Sequence, residues 1–461
     1  FIFDGGLQSF GSNGLVFPIL KELGLYDKVQ FVRADYQIIT PDIKVKLNSL
    51  PQVREEFKRA FPQIESEVEA YFQDLEALLR PFEKMFAKDK PALPLLSGLG
   101  RVVAMLSFPF TNFGFIKNMK RYQKTTSLDL IDQHLTENRI RFILSSLGYP
   151  IMSTMCTVGG WHSWLRDYWY PIGGMQNFAN LFADLTKQNG GTISLRTKVD
   201  QIIIENGMAG GVKLDDGREL CSKFVVSNID WRQTFTNLIQ RQWLEEEFVT
   251  QIEKAKVSES MFSVYLGTDL DRSSFDGLAH HIFYFPAYGS SFLEKEVNDP
   301  DFFKACDMEI SLPSIVDDSL APRGKSVVTL TTFAPYDYLN RWKTEAGRRT
   351  ESYQRLKKKV ADQLVATAEG VIPDLSKHIV VREIATPLTY ERYTLNSEGA
   401  SVGWNWDPKC ALTTKFSSSV GSLRTSIKNL FTVGHWCYSP GGVPSAMLTA
   451  RIVAHMIRSM C

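Results

Sequence analysis

Apolar positions change their spacing several times along the chain. From Phe1 to Asn48 short apolar runs alternate with Gly, Pro and Asp breakers, which predicts strands and irregular connections. From Gln52 to Arg80 the apolar residues Phe57, Phe61, Ile64, Val68, Tyr71, Leu75 and Leu78 recur at steps of three and four, which predicts helix. Residues 92–116 are apolar, interrupted by Pro94 and Pro109 and carrying one charge, Arg101; Lys117, Lys120, Arg121 and Lys124 follow at once. Helical spacing returns over 127–165, a stretch rich in aromatics.

After Tyr170-Pro171-Ile172-Gly173-Gly174-Met175 a helix is predicted through Phe178, Leu181, Phe182 and Leu185, ending at Gly190-Gly191. Strands are then predicted at Thr192–Leu195, Val199–Glu205, Ala209–Leu214 and Arg218–Ser227. Asn206-Gly207 supplies a two-residue hairpin turn with positive φ, and Asp216-Gly217 a second turn. Residues 258–335 alternate in strand fashion, as in Met261–Leu266, His281–Phe285 and Ser326–Thr332. An amphipathic helix spans about 345–370 with Tyr353, Leu356, Val360 and Leu364 on one face. The end combines a strand at Leu430–Val433, a glycine-rich turn and a helix from about Pro444 to Arg458.

The 461 residues exceed the ~250–300 at which single cores stop growing, so two or three intertwined domains are expected. Lys+Arg is 52 against Asp+Glu 51, a net charge of +1, which argues against nucleic acid as a partner. The six cysteines form no CxxC pair and no His cluster has ligand spacing, so neither a disulfide framework nor a metal site is expected. No run of 18 apolar residues predicts a membrane-spanning helix. The sequence opens at Phe1-Ile2-Phe3-Asp4-Gly5-Gly6 inside a strand-and-turn pattern without an initiator Met, and is read as lacking its true N-terminus.

Candidate chemistry is densest at the end. In the segment NLFTVGHWCYSPGGVPSAMLTARIVAHMIR, residues 429–458, an apolar strand delivers the chain to Gly434. Gly441-Gly442 then permit close backbone approach, and Pro444 suits a first helical turn. A helix N-terminus offers free N–H groups and partial positive charge to an anion or an electron-accepting ring. A plain strand–turn–helix crossover would give the same pattern. No Gly-x-Ser-x-Gly elbow or Ser-His-Asp order supports a hydrolase. His162 and His280-His281 are read as structural.

Taken together, these segments resemble the flavin-dependent family of phytoene desaturases, carotenoid isomerases and retinol saturase. The similarity rests on Phe3-Asp4-Gly5-Gly6, on Pro171 to Met175, on the Lys198-Val199 pair, on Val225 to Asn228 and on Val433 to Pro444. It rests also on Ser311 to Gly324, which follows the family's S-x-P-S/T-x-x-D-x-S-L-A-P-x-G pattern. The family's G-x-G-x-x-G turn is missing and is expected upstream of Phe1, so a polypeptide starting there is expected to bind FAD poorly.

The resemblance implies FAD as cofactor, with Asp4, Gly5, Gly6, Lys198, Val199, Asn228, Gly434, Gly441, Gly442 and Val443 as cofactor-binding residues. His435 and Tyr438 are candidate catalytic side chains because their turn would lie beside the flavin ring; filling space there is the alternative role. Trp161, Tyr170, Gly173 and Gly174 are candidate cavity residues, with core packing as the other reading of the aromatic cluster.

The implied fold is α/β, a glutathione-reductase-type FAD-binding domain interleaved with an α+β substrate domain of antiparallel sheet and helices. The expected division is 1–50 in part of the FAD-binding domain and the entry to the substrate domain, 51–170 helical and substrate- or membrane-facing, 171–257 FAD-binding, 258–395 substrate domain and 396–461 FAD-binding. The implied activity is oxidoreductase chemistry on a hydrophobic polyene, with carotenoid cis–trans isomerisation favoured and desaturase or saturase as alternatives. A flavin-free prenyl-lipid escort of the GDP-dissociation-inhibitor type is the non-enzyme alternative. Residues 92–116 with the following basic cluster are expected to meet a membrane surface peripherally, on the bacterial cytoplasmic side or in a plastid; the alternative is helical core.

Overall fold

The computed structural model describes residues 1–6, 8–86, 107, 112–122, 124–148, 151–289, 295–407, 423–437 and 441–461. The chain divides into two compact units, Phe1–Ala179 with Ser260–Leu388 and Asn180–Glu259 with Thr389–Cys461. Each is therefore built from two separated segments.

The first unit is organised by a seven-stranded sheet. Its strand order is Ile379–Ala385, Ser260–Thr268, Ser326–Ala334, Met308–Ser311, His281–Tyr284, Tyr36–Ile39 and Lys44–Lys46. All neighbours are antiparallel except His281–Tyr284 with Tyr36–Ile39. Because side chains alternate across a strand, the two faces differ. One carries Phe262, Val264, Leu266, Ile282, Ile310, Val328 and Leu330, all fully buried, against Tyr353, Leu356, Val360 and Leu364 of the helix Glu351–Ala368. That helix is the one the spacing predicts. The opposite face mixes polar residues with apolar ones such as Phe283 and Val327, which join the helical core. Glu383, Tyr265, Thr329, Ser311, His281 and Tyr36 stand in register as one row across six strands.

The helical part of this unit differs from its prediction at two places. The span 52–80 is two helices, Leu50–Ala60 and Glu65–Met85, because Pro62 cannot donate a backbone hydrogen bond and starts a 3₁₀ turn instead. The span 127–165 holds Ser127–Asp132, Asn138–Ser146 and Thr154–His162, and a π turn over Ser163–Asp167 leads into the strand Tyr168–Pro171. That strand lies between Phe10–Gly11 and Phe31–Arg33. The early breaker-rich segment also contains a helix, Val16–Glu22, too short for its period to show.

In the second unit, Val199–Glu205, Met208–Leu214 and Glu219–Cys221 form an antiparallel sheet. Asn206 at φ 51° and Gly207 at φ 73° make the predicted hairpin turn. The run 218–227 breaks in two: Glu219–Cys221 stays with the hairpin, whereas Val225–Ser227 pairs in parallel with Leu430–Thr432. Thr192–Leu195 is not a strand. Its residues are exposed, Leu195 to 82%, and gain no ladder partner among the described residues. The core packs Trp231, Trp404 and Trp436 with Ile252, Phe431 and Val453, the last on the helix Val443–Arg458.

Candidate functional site

In the first unit three distant sequence motifs meet at one carboxylate. Asp4, buried, accepts a hydrogen bond from Tyr170 Oη at 2.8 Å on one oxygen and from the Met175 backbone N–H at 2.8 Å on the other. Gly173 and Gly174 adopt φ 92° and 84°, which turn the backbone between those two donors. The Gly173 N–H donates to Asp317 Oδ2 at 2.6 Å, and Ile2 N–H donates to the Leu320 carbonyl at 2.8 Å. Thus the Asp4 turn, the Pro171–Met175 turn and the Ser311–Gly324 segment form one junction. Burial raises the Asp4 pKa, opposed by the Met175 and Tyr170 hydrogen bonds. Burial, with Asp4 beside it, raises that of Tyr170.

Gly5 and Gly6 are exposed, and a Cβ on either would meet no atom within 4 Å, so the space over this turn is open. The Gly5 carbonyl accepts from Tyr265 Oη at 2.8 Å, which ties the turn to the polar sheet row. The Tyr170 ring lies 5.2 Å from the ring of His280, a fully buried side chain. Neither ring nitrogen of His280 has a hydrogen-bond partner among the described residues, and burial lowers its pKa to about 3. Trp161 is 1% exposed and packs edge-on between Phe72 and Trp164 in the core.

Further along this face lies a narrow cleft of about 30 Å³. Phe283, Phe285, Phe333 and Met261 line it together with Asp307 and Glu309. Glu309 Oε2 lies 3.2 Å from Nε2 of the buried His281. These carboxylates are not candidates from the sequence. The alternation of Asp307 and Glu309 around Met308 was the available sign, since it puts two acids on one strand face.

The second unit holds the other candidates. Gly434 follows Leu430–Thr432 at φ 95°, and a Cβ there would lie 2.0 Å from Asn228 Oδ1, so only glycine lets the ends of the two parallel strands approach this closely. Its N–H donates to Thr449 Oγ1 at 2.9 Å. His435 is wedged between two glycines. A Cβ on Gly441 would meet His435 Cβ at 2.6 Å, and one on Gly403 would meet His435 Cδ2 at 3.0 Å. Burial lowers the His435 pKa to about 4, and its Nε2 has no partner among the described residues.

Gly442 caps the helix Val443–Arg458 at φ 152° with no side-chain cap, and Gly441 to Met447 are half-buried. Among the described residues no side chain caps this helix start, an arrangement that suits a large anionic or electron-accepting ligand. Lys198 and Val199 open the antiparallel sheet, as the strand expected to begin at this pair: Lys198 is exposed, 4.0 Å from Asp200, and Val199 pairs with Leu214. Tyr438 lies outside the described residues. No group of ligating side chains able to hold a metal is found among the described residues.

No family model matches the chain. It is 29% identical over 292 residues to a chloroplastic prolycopene isomerase of Daucus carota, covering 62% of this chain and 44% of that protein. It is 29% identical over 302 residues to a neurosporene-forming phytoene desaturase of Rhodobacter capsulatus, covering 62% and 53%. The chain spans about half the length of the curated relatives it matches. In structure it is similar to an oxidoreductase from Methanosarcina mazei, with TM-score 0.57, 13% identity, 98% of this chain and 88% of that one. It is similar also to wild-type putrescine oxidase, with TM-score 0.58, 11% identity, 98% and 88%. The fold is thus the α/β FAD-binding type expected. By sequence the chain is similar to prolycopene isomerases and to phytoene and diapophytoene desaturases.

Proposed function

We propose that the chain is an FAD-dependent enzyme acting on a hydrophobic polyene, with carotenoid cis–trans isomerisation as its activity. The observation that carries the reading is the similarity to prolycopene isomerases and carotenoid desaturases over 62% of the chain, together with the junction at which Asp4, the Pro171–Met175 turn and the Ser311–Gly324 segment meet. A conjugated hydrocarbon offers no bond to hydrolyse; it changes only by movement of hydride, electrons or geometry.

FAD, when bound, supplies the exchange of hydride or electrons with the polyene. In the second unit Asn228, Gly434, Gly441, Gly442 and Val443 are the residues that would hold it, and the partial positive charge of the helix start favours negative charge on a reduced ring. In the first unit Asp4, Gly5 and Gly6 are proposed cofactor contacts on the motif, and the Tyr170 and Met175 hydrogen bonds fix that turn. The substrate is drawn from a membrane surface of plastid or bacterial cytoplasm. In support, Phe113 is 68% exposed on the helix Phe113–Tyr122, which also presents Lys117, Lys120 and Arg121 to solvent. Most of the apolar stretch 92–116 lies outside the described residues. Among the described residues no helix is long and apolar enough to cross a membrane.

The second reading, desaturation, rests on the phytoene and diapophytoene desaturases among the relatives. Incubating the complete protein with poly-cis and partly saturated carotenes, FAD and a reductant separates the activities by product mass. Isomerisation leaves mass unchanged, desaturation removes two hydrogens per step and saturation adds two. A colourless full-length protein that binds prenyl lipid and converts neither carotene would overturn the enzyme reading in favour of a lipid escort.

A further inference from the structure

One row of the sheet in the first unit is polar on a face that Phe283 and Val327 join to the helical core. Tyr265, Thr329, Ser311 and His281 stand opposite one another on four neighbouring antiparallel strands. Residues paired in this way have Cβ atoms about 4.5–5.5 Å apart. Thr329, Ser311 and His281 are 1%, 2% and 3% exposed. Thr329 Oγ1, Ser311 Oγ and His281 Nδ1 have no hydrogen-bond partner among the described residues. Leaving such groups unmatched is costly, and at this spacing a water between each pair would satisfy all three. Both ends of the row are tied to something else. At one end His281 Nε2 lies 3.2 Å from Glu309 Oε2, and the Glu309 side chain is 41% exposed. Glu309 also borders the cleft of about 30 Å³, room for about two waters. At the other end Tyr265 Oη donates to the carbonyl of Gly5, in the turn proposed to contact the cofactor, at 2.8 Å. A carboxyl, an imidazole, two hydroxyls and a phenol are all groups that can both take up and release a proton.

We propose that this row, with internal waters between its members, is a proton path from Glu309 at the surface to the Gly5 turn. The proposal rests on the flavin reading above and deepens it. Transfer of an electron pair to a flavin from an external reductant is accompanied by uptake of one proton, and reoxidation gives that proton back. An inward proton passes from Glu309 to His281 Nε2, while Nδ1 releases one to the water beside Ser311. It continues through Thr329 to the Tyr265 hydroxyl at the turn. Each group takes one proton and gives up another, so only O–H and N–H bonds form and break and no member of the row ends with a changed charge.

Two conservative variants decide whether the row is hydrated, with no need of cofactor. In Thr329→Val and Ser311→Ala a water-bridged hydroxyl is lost and its partners are stranded, so the urea midpoint should fall. A dry, unmatched hydroxyl is instead relieved by the same change, so a midpoint that rises or stays the same in either variant overturns the path. The complete, FAD-loaded protein then tests the role. Stopped-flow reduction of its flavin by dithionite should be at least about tenfold slower in Thr329→Val, Ser311→Ala and Glu309→Gln than in wild type, at unchanged flavin stoichiometry. The wild-type rate should also fall in heavy water. Wild-type rates in the variants, or no slowing in heavy water, overturn the proton path while leaving the flavin reading intact. Complete wild-type protein that takes up no FAD overturns both.

Discussion

Tyr170 and Asp4, 166 residues apart, are joined by a 2.8 Å hydrogen bond that closes the junction of three motifs. The bond matters because Asp4 is buried and its two oxygens divide their donors, Tyr170 on one and the Met175 N–H on the other. Tyr170→Phe removes one donor and leaves a buried oxygen unmatched, at a cost of about 1–3 kcal/mol. Burial holds the folded pKa of Asp4 above its unfolded value, so the stability linked to its protonated form is present at low pH and lost as pH rises through the folded pKa. The deficit of Tyr170→Phe should therefore be largest near neutrality and shrink in acid. Urea midpoints across that range check it, and an unchanged midpoint at pH 7 would show that the bond contributes nothing.

Gly434 and Gly442 are predicted to fail in different ways. At Gly434 a Cβ would lie 2.0 Å from Asn228 Oδ1 at φ 95°. Gly434→Ala should cost about 1–3 kcal/mol from backbone strain alone, plus a steric part that Asn228→Ala relieves. A double-mutant cycle by thermal unfolding measures that relief. At Gly442 the nearest atom of the described residues that a Cβ would meet is Pro444 Cδ at 3.8 Å, so among them only the φ of 152° resists. Gly442→Val in the full-length protein should remain folded yet lose flavin, because the side chain projects over the uncapped helix start. Full flavin stoichiometry in that variant would remove this turn from the cofactor site.

The junction at Asp4 was legible in the sequence only as motifs. Their spacing named Asp4, Gly173, Gly174 and the Ser311–Gly324 segment, but no local pattern reveals that Tyr170 reaches back across the chain. Strands with strong alternation, such as Ser260–Thr268 and Ser326–Ala334, were readable because one face is uniformly apolar. Met308–Ser311 lies within the 258–335 stretch that alternates in strand fashion, whereas Ile379–Ala385, partly exposed, was not foreseen, and the order of both in the sheet is set by long-range pairing. Thr192–Leu195 misled because alternating Thr, Ile, Ser and Leu fits a strand wherever a partner exists, and here none is described. His281 was read as merely structural. Its partner Glu309 lies 28 residues away, and only the register of His281–Tyr284 with Met308–Ser311 brings the two strands side by side.

The buried histidines predict acid sensitivity in each unit. Burial lowers the folded pKa of His280 to about 3 and that of His435 to about 4, below the ~6.5 of an unfolded histidine. A depressed histidine contributes stability that is present above the unfolded pKa and is lost as pH falls toward the folded value. Between pH 7.5 and 5.0 each should lose about 2 kcal/mol of stability. His280→Leu should flatten this dependence, since it places an apolar group where both ring nitrogens lack partners. Urea unfolding of wild type and variant at the two pH values measures it. Equal losses in both proteins would show that His280 is already charged or solvated in the fold.

Attachment to a membrane surface is the last outcome to test. On the helix Phe113–Tyr122, Phe115 packs against Phe82 and Phe86, while Phe113 faces solvent beside Lys117, Lys120 and Arg121, and Lys124 follows. An exposed aromatic next to four exposed cations is suited to an anionic lipid surface, where each basic residue contributes roughly 1 kcal/mol. The wild-type protein should co-sediment with vesicles containing phosphatidylserine and release as salt is raised, because the Debye length falls. Reversing Lys117, Lys120, Arg121 and Lys124 to Glu should abolish binding at low salt. Phe113→Ser should weaken it at every salt concentration, since the apolar contact is not screened. Wild-type protein that stays in the supernatant at all lipid compositions would mean that this helix is ordinary surface and that the polyene is delivered by another route.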